Sequence, residues 1–368
     1  MAKSSIKPAP EFNVKDYTYL EVVEECHVEG IINLYRKTYQ IYQDDPLQQT
    51  SYPYPEVLDP EWIVQTSADR DTIWKVVIDS LTGNIIGSGT LIMDRTHQRA
   101  YVRGILVDPD YQGYGVAGYI LAAAFKEVIR DYQDIIKIFW TENRTAHRKS
   151  QKVAEQCGMR PVALLPNKDY FLEQRESDML YVLYSMNTMK RRRPTPALVP
   201  GVLPIYQVVG RQFRLNPIEA VLPPTIHANG YDVKGAITFD KYLYQYATFT
   251  ANGKKLQFEI NPRTQVAEKT KYSLDIDPIT LKTLLKFAFH TLNPHLYYME
   301  CYVSAYEPAI QQVFLDVGFQ ATGYIPAWDV VERQREDVIV MTWVKNYPPL
   351  MQMQLTPRAT KLANLFLS

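Results

Sequence analysis

Cysteine is scarce. Cys26, Cys157 and Cys301 are the only three in the chain, and their wide separation excludes a disulfide framework and shows no metal-ligand spacing. A bias of charge is missing too. Forty basic and forty acidic residues cancel, without the basic excess that marks a nucleic-acid binder. No apolar run reaches the roughly 18 residues that a membrane-crossing helix needs. The opening stretch MAKSSIKPAPEFN is polar and Pro-bearing, unlike a signal peptide. Together these absences predict a cytoplasmic protein with no membrane span, no nucleic-acid partner and no bound metal.

What is present is ample apolar material. Hydrophobic residues make up 46% of 368 residues, more length than one compact domain usually holds, so two domains are expected. The stretch EVVEECHVEGIINLYRKTYQIY reads as an amphipathic helix interrupted near Gly30. After the loop SYPYPEVLDPEW, the alternating runs TIWKVVIDS, IIGSGTLIMD and RAYVRGILVD read as strands. A helix follows a Gly-rich turn, then a strand IIKIFW, a helix from about Thr145 to Gln156, and strands around ALLPNKDYF and DMLYVLYSM. MKRRRPTPALVPGVLP breaks all periodicity and reads as a linker.

The second half restates the first. His147 and Glu307 open similar helices, which end at Gly158 and Gly318, and Gln174-Arg175-Glu176 recurs as Gln334-Arg335-Glu336; each pair is 160 apart (307 − 147 = 160). One ungapped offset across helix, loop and strand indicates two copies of one unit. The expected domains are 1–187, with the functional turn; a Pro/Arg-rich linker, 188–204; a degenerate copy, 205–350; and a tail, 351–368. The copies differ where VDPDYQGYGVAG in the first corresponds to LDIDPITLKTLL in the second. The latter keeps an Asp-Pro but has no glycine, so only the first copy is expected to let the backbone approach a phosphate.

In the first copy, Gln112, Gly113, Tyr114, Gly115, Val116 and Ala117 link a strand to an Ala-rich helix. Small residues let the chain turn tightly, and the helix start presents free N–H groups and a positive dipole end to an anion. This segment resembles the acyl-CoA motif of the GNAT superfamily, Gln/Arg-x-x-Gly-x-Gly/Ala, matched here by Gln112, Gly115 and Ala117. SQKVAEQCGM is similar to the superfamily's second helix. The resemblance covers roughly residues 15–186 and, more loosely, 230–346. It implies an α/β (α+β) fold of two tandem GNAT-like units, each a mixed, mostly antiparallel sheet flanked by helices, the second degenerate. It further implies acetyl-CoA or a longer acyl-CoA as cosubstrate, amides near Leu106 and Val107 pairing with pantetheine, and the amides of 112–117 holding pyrophosphate.

Direct transfer of an acyl group from a thioester to an amine needs a base, an oxyanion site and a proton for the leaving thiolate. Many GNAT members carry a glutamate on the strand before the turn, whereas AYVRGILV holds none. His147 stands where many members have asparagine, with Asn143 one helical turn earlier. His147 as proton relay, Tyr170 as acid and Glu142 as base or amine-binding anion are the catalytic candidates. Asp94 and His97 rank below them. The loop SYPYPEVLDPEW resembles the Tyr-Pro-Phe-Pro loop of GNAT enzymes that acetylate β-lysine, whose relatives acylate Lys or ornithine side chains of peptides. That likeness implies a primary-amine acceptor, a small molecule or a peptide. The rivals are a non-catalytic acyl-CoA sensor, favoured by the missing strand carboxylate, and a thioester decarboxylase or hydrolase. Lys190–Arg193 reads as a solvated run, and the 27 tyrosines, KYLYQY among them, as strand residues or the lining of an acyl channel.

Overall fold

The computed structural model describes residues 13–40, 52–172, 174–185, 187–223, 225–228, 230, 232–332, 334–349 and 352–366. The polar start of the chain and Ser51 of the Tyr-Pro loop fall outside them.

Seven strands form the first half: β1 (Thr18–Val22), β2 (Thr72–Asp79), β3 (Ile85–Asp94), β4 (Arg99–Val107), β5 (Ile138–Arg144), β6 (Arg160–Phe171) and β7 (Gln174–Tyr184). Seven more form the second: β8 (Lys234–Phe239), β9 (Gln245–Ala251), β10 (Lys254–Asn261), β11 (Val266–Tyr272), β12 (Tyr298–Ser304), β13 (Gln320–Val331) and β14 (Gln334–Val344). All join one sheet in the order β1-β2-β3-β4-β5-β7-β6-β13-β14-β12-β11-β10-β9-β8. The halves meet at a single register pair, Ala163 opposite Gly323, themselves 160 apart (323 − 163 = 160). The order of strands on one side of that junction mirrors the order on the other.

The helices are α1 (Val14–Tyr17), α2 (Val28–Tyr39), α3 (Pro60–Ala68), α4 (Val116–Tyr132), α5 (Lys149–Gln156), α6 (Leu203–Phe213), α7 (Pro278–Leu292), α8 (Pro308–Val317) and α9 (Pro357–Ala363). Among the described residues, no helix is long and apolar enough to cross a membrane. Gly30 does not interrupt α2. It lies inside the helix, where a Cβ would stand 2.7 Å from Ile85 Cδ1, so its role is close packing of α2 on β3. Gly87 does the same for α4, since a Cβ there would meet Val116 Cγ1 at 2.6 Å.

Residues 188–204 have little regular structure, yet they are not a loose linker. Leu198, Val199 and Val202 are fully buried. Arg192 Nε bonds the buried Asp337 at 2.8 Å and Arg193 pairs with Glu336 at 2.5 Å, so the basic run is partly spent on the second half instead of being solvated. The tail is likewise anchored. Ala359, Leu362 and Ala363 of α9 are fully buried, and Thr356 N–H donates to Gln151 Oε1 of α5 at 3.2 Å. Correspondingly, Val199 N–H donates to Gln311 Oε1 of α8 at 3.1 Å. The segment after each half therefore caps the other.

Candidate active site

Where two parallel strands separate, a sheet opens into a wedge. β4 and β5 pair only at Arg99–Ile138, Ala100–Phe139 and Tyr101–Trp140, then diverge toward their C-terminal ends. A shift of register against β3 between Ser88 and Thr90 accompanies the divergence, and Gly104 lies there with φ +60°. β11 and β12 pair only at Val266–Tyr298 and Ala267–Met299 before they separate in turn. Both wedges open into one cleft of about 2210 Å³, lined from both halves.

At one end of the cleft lies the Gly-rich turn. Gly113 and Gly115 have φ +95° and +86°, a left-handed conformation that side chains resist, and both face open space. Gly115 is the N-cap of α4, with no side chain bonded to the first-turn amides. From α2, Lys37 Nζ braces the turn through Asp108 at 2.6 Å and Asp110 at 2.9 Å. Leu106, Val107, Gln112, Gly113, Gly115, Val116, Ala117 and Asn143 all line the cleft; Tyr114 does not. Across from the turn, Lys149 Nζ bonds Gln112 Oε1 at 2.8 Å. Three polar atoms here are buried without a partner: Asn143 Nδ2, His147 Nδ1 and Ser150 Oγ. An uncapped helix start beside orphaned donors suits a phosphate-bearing ligand with a polar arm.

α7 begins differently. Asp277 accepts from Ile279 N–H and Thr280 N–H at 3.0 and 2.9 Å, so a carboxylate already occupies that helix start. The Asp-Pro of the second half is this cap and not a counterpart of Asp108-Pro109.

Deeper in the cleft the residues are acidic. Lys168 Nζ, 3% exposed, lies 2.9 Å from Glu142, 3.1 Å from Glu268 and 3.3 Å from Glu300. Asp169 takes a bond from Tyr54 Oη at 2.8 Å. Asp178 is buried beside it, the two carboxyl groups sharing a hydrogen bond, and no other described residue donates to Asp178. Burial pushes Glu142 up to about 7 although Lys168 opposes the rise. Burial likewise raises Glu300, Asp169 and, most strongly, Asp178. Glu268 ends below its usual range because Lys168 and Lys269 outweigh its burial. Lys168 stays charged far above the ordinary lysine range, as its three glutamates overcome desolvation.

The candidates from sequence divide. Glu142 and His147 line the cleft, as do Asp94 and His97 at another part of its wall. Burial and the nearby Arg144 lower His147, so it is neutral near pH 7. Tyr170 does not face the cleft, because alternation along β6 turns it away from its neighbours Asp169 and Phe171. Its ring lies 5.4 Å from the Arg175 guanidinium. Lys168, Asp169, Asp178, Glu268 and Glu300 were not anticipated. Their signal was charge inside otherwise apolar strands, as in ALLPNKDYF and YYMECYV.

The Tyr-Pro loop reaches the second half. Pro53 carbonyl accepts from Asn261 Nδ2 at 3.2 Å, Glu56 from Tyr244 Oη at 3.1 Å and Asp59 from Tyr242 Oη at 2.6 Å. Tyr52 and Tyr54 line the cleft wall between the two halves.

Among curated proteins no sequence matches the chain. Solved structures similar in fold include a spermidine/spermine N-acetyltransferase, SpeG, from Vibrio cholerae in complex with manganese ions. It is 18% identical, covering 49% of this chain and 99% of that one, with a TM-score of 0.38. The microcin C7 self-immunity acetyltransferase MccE, in complex with acetyl-CoA and AMP, is 17% identical over 49% and 100%, with a TM-score of 0.38. A ribosomal-protein-S5-alanine acetyltransferase from Vibrio fischeri is 16% identical over 46% and 94%, with a TM-score of 0.39. A family model matches directly: residues 30–159, which hold the Gly-rich turn, α4 and both strands of the first wedge, match the model of the acetyltransferase (GNAT) family.

Proposed function

We propose that this chain is an acyl-CoA-dependent N-acyltransferase that moves an acetyl or longer acyl group from CoA directly to a primary amine of the lysine or ornithine type. The observation that carries this reading is the polarity of the cleft: an uncapped helix start for an anion at one end and buried carboxylates for a cation further in. The amides of 112–117 hold pyrophosphate, and the edge of β4 at Leu106 and Val107 aligns the pantetheine arm. Asn143 and His147, each with an unpartnered nitrogen, bond that arm or the thioester.

Glu142 is the base. Raised to about 7, it is basic enough to take a proton from an ammonium in the cleft and still substantially ionised at neutral pH. The sensor reading drew on the lack of a carboxylate on β4; Glu142 of β5 meets that need from the neighbouring strand. The second half is a degenerate copy without a phosphate site, and it completes the acceptor side. The mirrored strand order and the carboxylate cap of α7 support this.

The test incubates the protein with acyl-CoAs of two to about sixteen carbons and with lysine, ornithine and a Lys-containing peptide. Mass spectrometry follows the amine and a thiol reagent the free CoA. An acylated amine is expected. Acyl-CoA binding without any acylated amine overturns the reading, and CoA release without an acylated amine replaces it with hydrolysis.

A further inference from the structure

The second wedge is a converted site. β4 and β11 correspond with an offset of 167, set by Gln98 and Gln265 (265 − 98 = 167), which share a left-handed φ of 58° and 56°. Each carbonyl accepts from the first residue of the neighbouring strand and the residue before it, Gln98 from Lys137 and Ile138, Gln265 from Tyr297 and Tyr298. At the mouth of the first wedge Tyr101 and Trp140 stack at 4.0 Å. The equivalent positions of the second wedge hold Glu268 and Glu300, both within 3.3 Å of Lys168 Nζ. An aromatic floor in one copy is a pair of carboxylates in the other.

One lysine does not balance this region. Glu142, Glu268 and Glu300 share a single buried cation, and Arg103, the next one along the wall, is 3.7 Å from its own carboxylate, Glu56. Lys269 is engaged by Glu259 at 2.5 Å. Independently, Asp178 is 1% exposed and lines the cleft, facing Asp169 with no donor from any other described residue. Two adjoining buried carboxyl groups whose only outside donor among the described residues is Tyr54 have acceptor capacity to spare for a ligand that brings a donor. With α7 capped by Asp277, this wedge has no place for an anion.

Resting on the function proposed above, we infer that the acceptor carries a second cationic nitrogen a few methylenes from the acylated one. Glu268 and Glu300, with Asp169 and Asp178, bind that second nitrogen while Glu142 faces the first. A lysine whose α-amine is tied up in an amide lacks this group; a diamine or free lysine has it.

The experiment uses the full chain and measures both calorimetric binding, with CoA present, and initial rates. The probes are 1,5-diaminopentane, lysine, Nα-acetyl-lysine and 1-aminopentane. The two probes with two ammonium groups, 1,5-diaminopentane and lysine, are expected to bind at least about tenfold more tightly than the two with one, as a desolvated ion pair requires. Glu268→Gln and Glu300→Gln should each narrow that gap; a thermal melt and CoA affinity like the parent's establish that they fold. Equal affinity for all four probes, or no binding by any, overturns the inference. Transfer to monoamines and diamines with equal KM would also overturn it while leaving the transferase standing. CoA binding with no transfer to any amine would instead remove the transferase.

Discussion

Lys168 and Trp328 hold equivalent places in the two halves (328 − 168 = 160), and each contacts the counterpart of the other's partner. Lys168 is 3.3 Å from Glu300, and the Trp328 ring is 5.6 Å from that of Trp140, the residue equivalent to Glu300. One crossing is ionic and the other aromatic. The same backbone arrangement thus supports a charge centre on one side and an apolar wall on the other.

The ionic crossing sets a pH dependence. A base works when deprotonated, so kcat/KM should rise with pH through about 7 as Glu142 loses its proton. Lys168 pulls that value down, so Lys168→Met should move the rising limb to higher pH. Glu142→Gln should lower kcat/KM by about a hundred- to ten-thousand-fold and abolish the limb. A limb unmoved in both variants would assign it to another group.

Removing Lys168 also leaves buried glutamates unpaired, which costs about 3–5 kcal/mol. Their folded pKa values would then lie above the unfolded ones. Stability of Lys168→Met is therefore expected to be greatest at low pH and to fall as pH rises through those values. Denaturant melts of both proteins between pH 5 and 8, bracketing the roughly neutral titration, would read the difference.

Gly115→Asp should abolish binding of CoA. It places a negative charge against the phosphate position and a side chain at φ +86°. Equilibrium titration with CoA checks this, and an unchanged affinity would move the pyrophosphate away from the turn.

His147→Ala tests the orphaned nitrogen. Because burial and Arg144 keep the imidazole neutral near pH 7, its expected part is a hydrogen bond to the cosubstrate. KM for acyl-CoA should rise about tenfold, the loss of one buried bond, with the limb near pH 7 unmoved. A fall in kcat with an altered pH profile would make it a proton-transfer group.

The sheet junction offers a packing test. At Gly323 a Cβ would clash with Ala163 Cβ and stand 2.9 Å from its Cα. Gly323→Val should cost about 1–3 kcal/mol and reduce activity, since the cleft spans both halves. Gly323→Ala combined with Ala163→Gly should recover most of the loss, measured as Tm.

Some of this was legible in the sequence for definite reasons. The offset of 160 shows because β5 through β7 and β12 through β14 carry no insertion, so it aligns Gly158 with Gly318 and Arg175 with Arg335. It fades upstream because the offset becomes 167 at Gln98 and Gln265, which hid the match of Tyr101 to Glu268. The Gly-rich turn is local and could be read. The Lys168–Glu300 contact joins residues from different halves, and no periodicity within either strand reports it. The alternation of β6 turns Tyr170 away from the family position that the sequence suggests, and Gly30 marks a close approach of α2 to β3, which in sequence looks the same as a helix break.

A sheet joined at Ala163 and Gly323, with each trailing segment capping the opposite half, is the geometry of a twofold dimer written into one polypeptide. On the proposed reading of two copies, an ancestor with identical chains had to keep both wedges alike, since any substitution appeared twice. Fusion lifts that constraint. On that reading one wedge was free to trade its aromatic floor for carboxylates while the other kept the phosphate turn, giving one shared cleft two differently specialised walls.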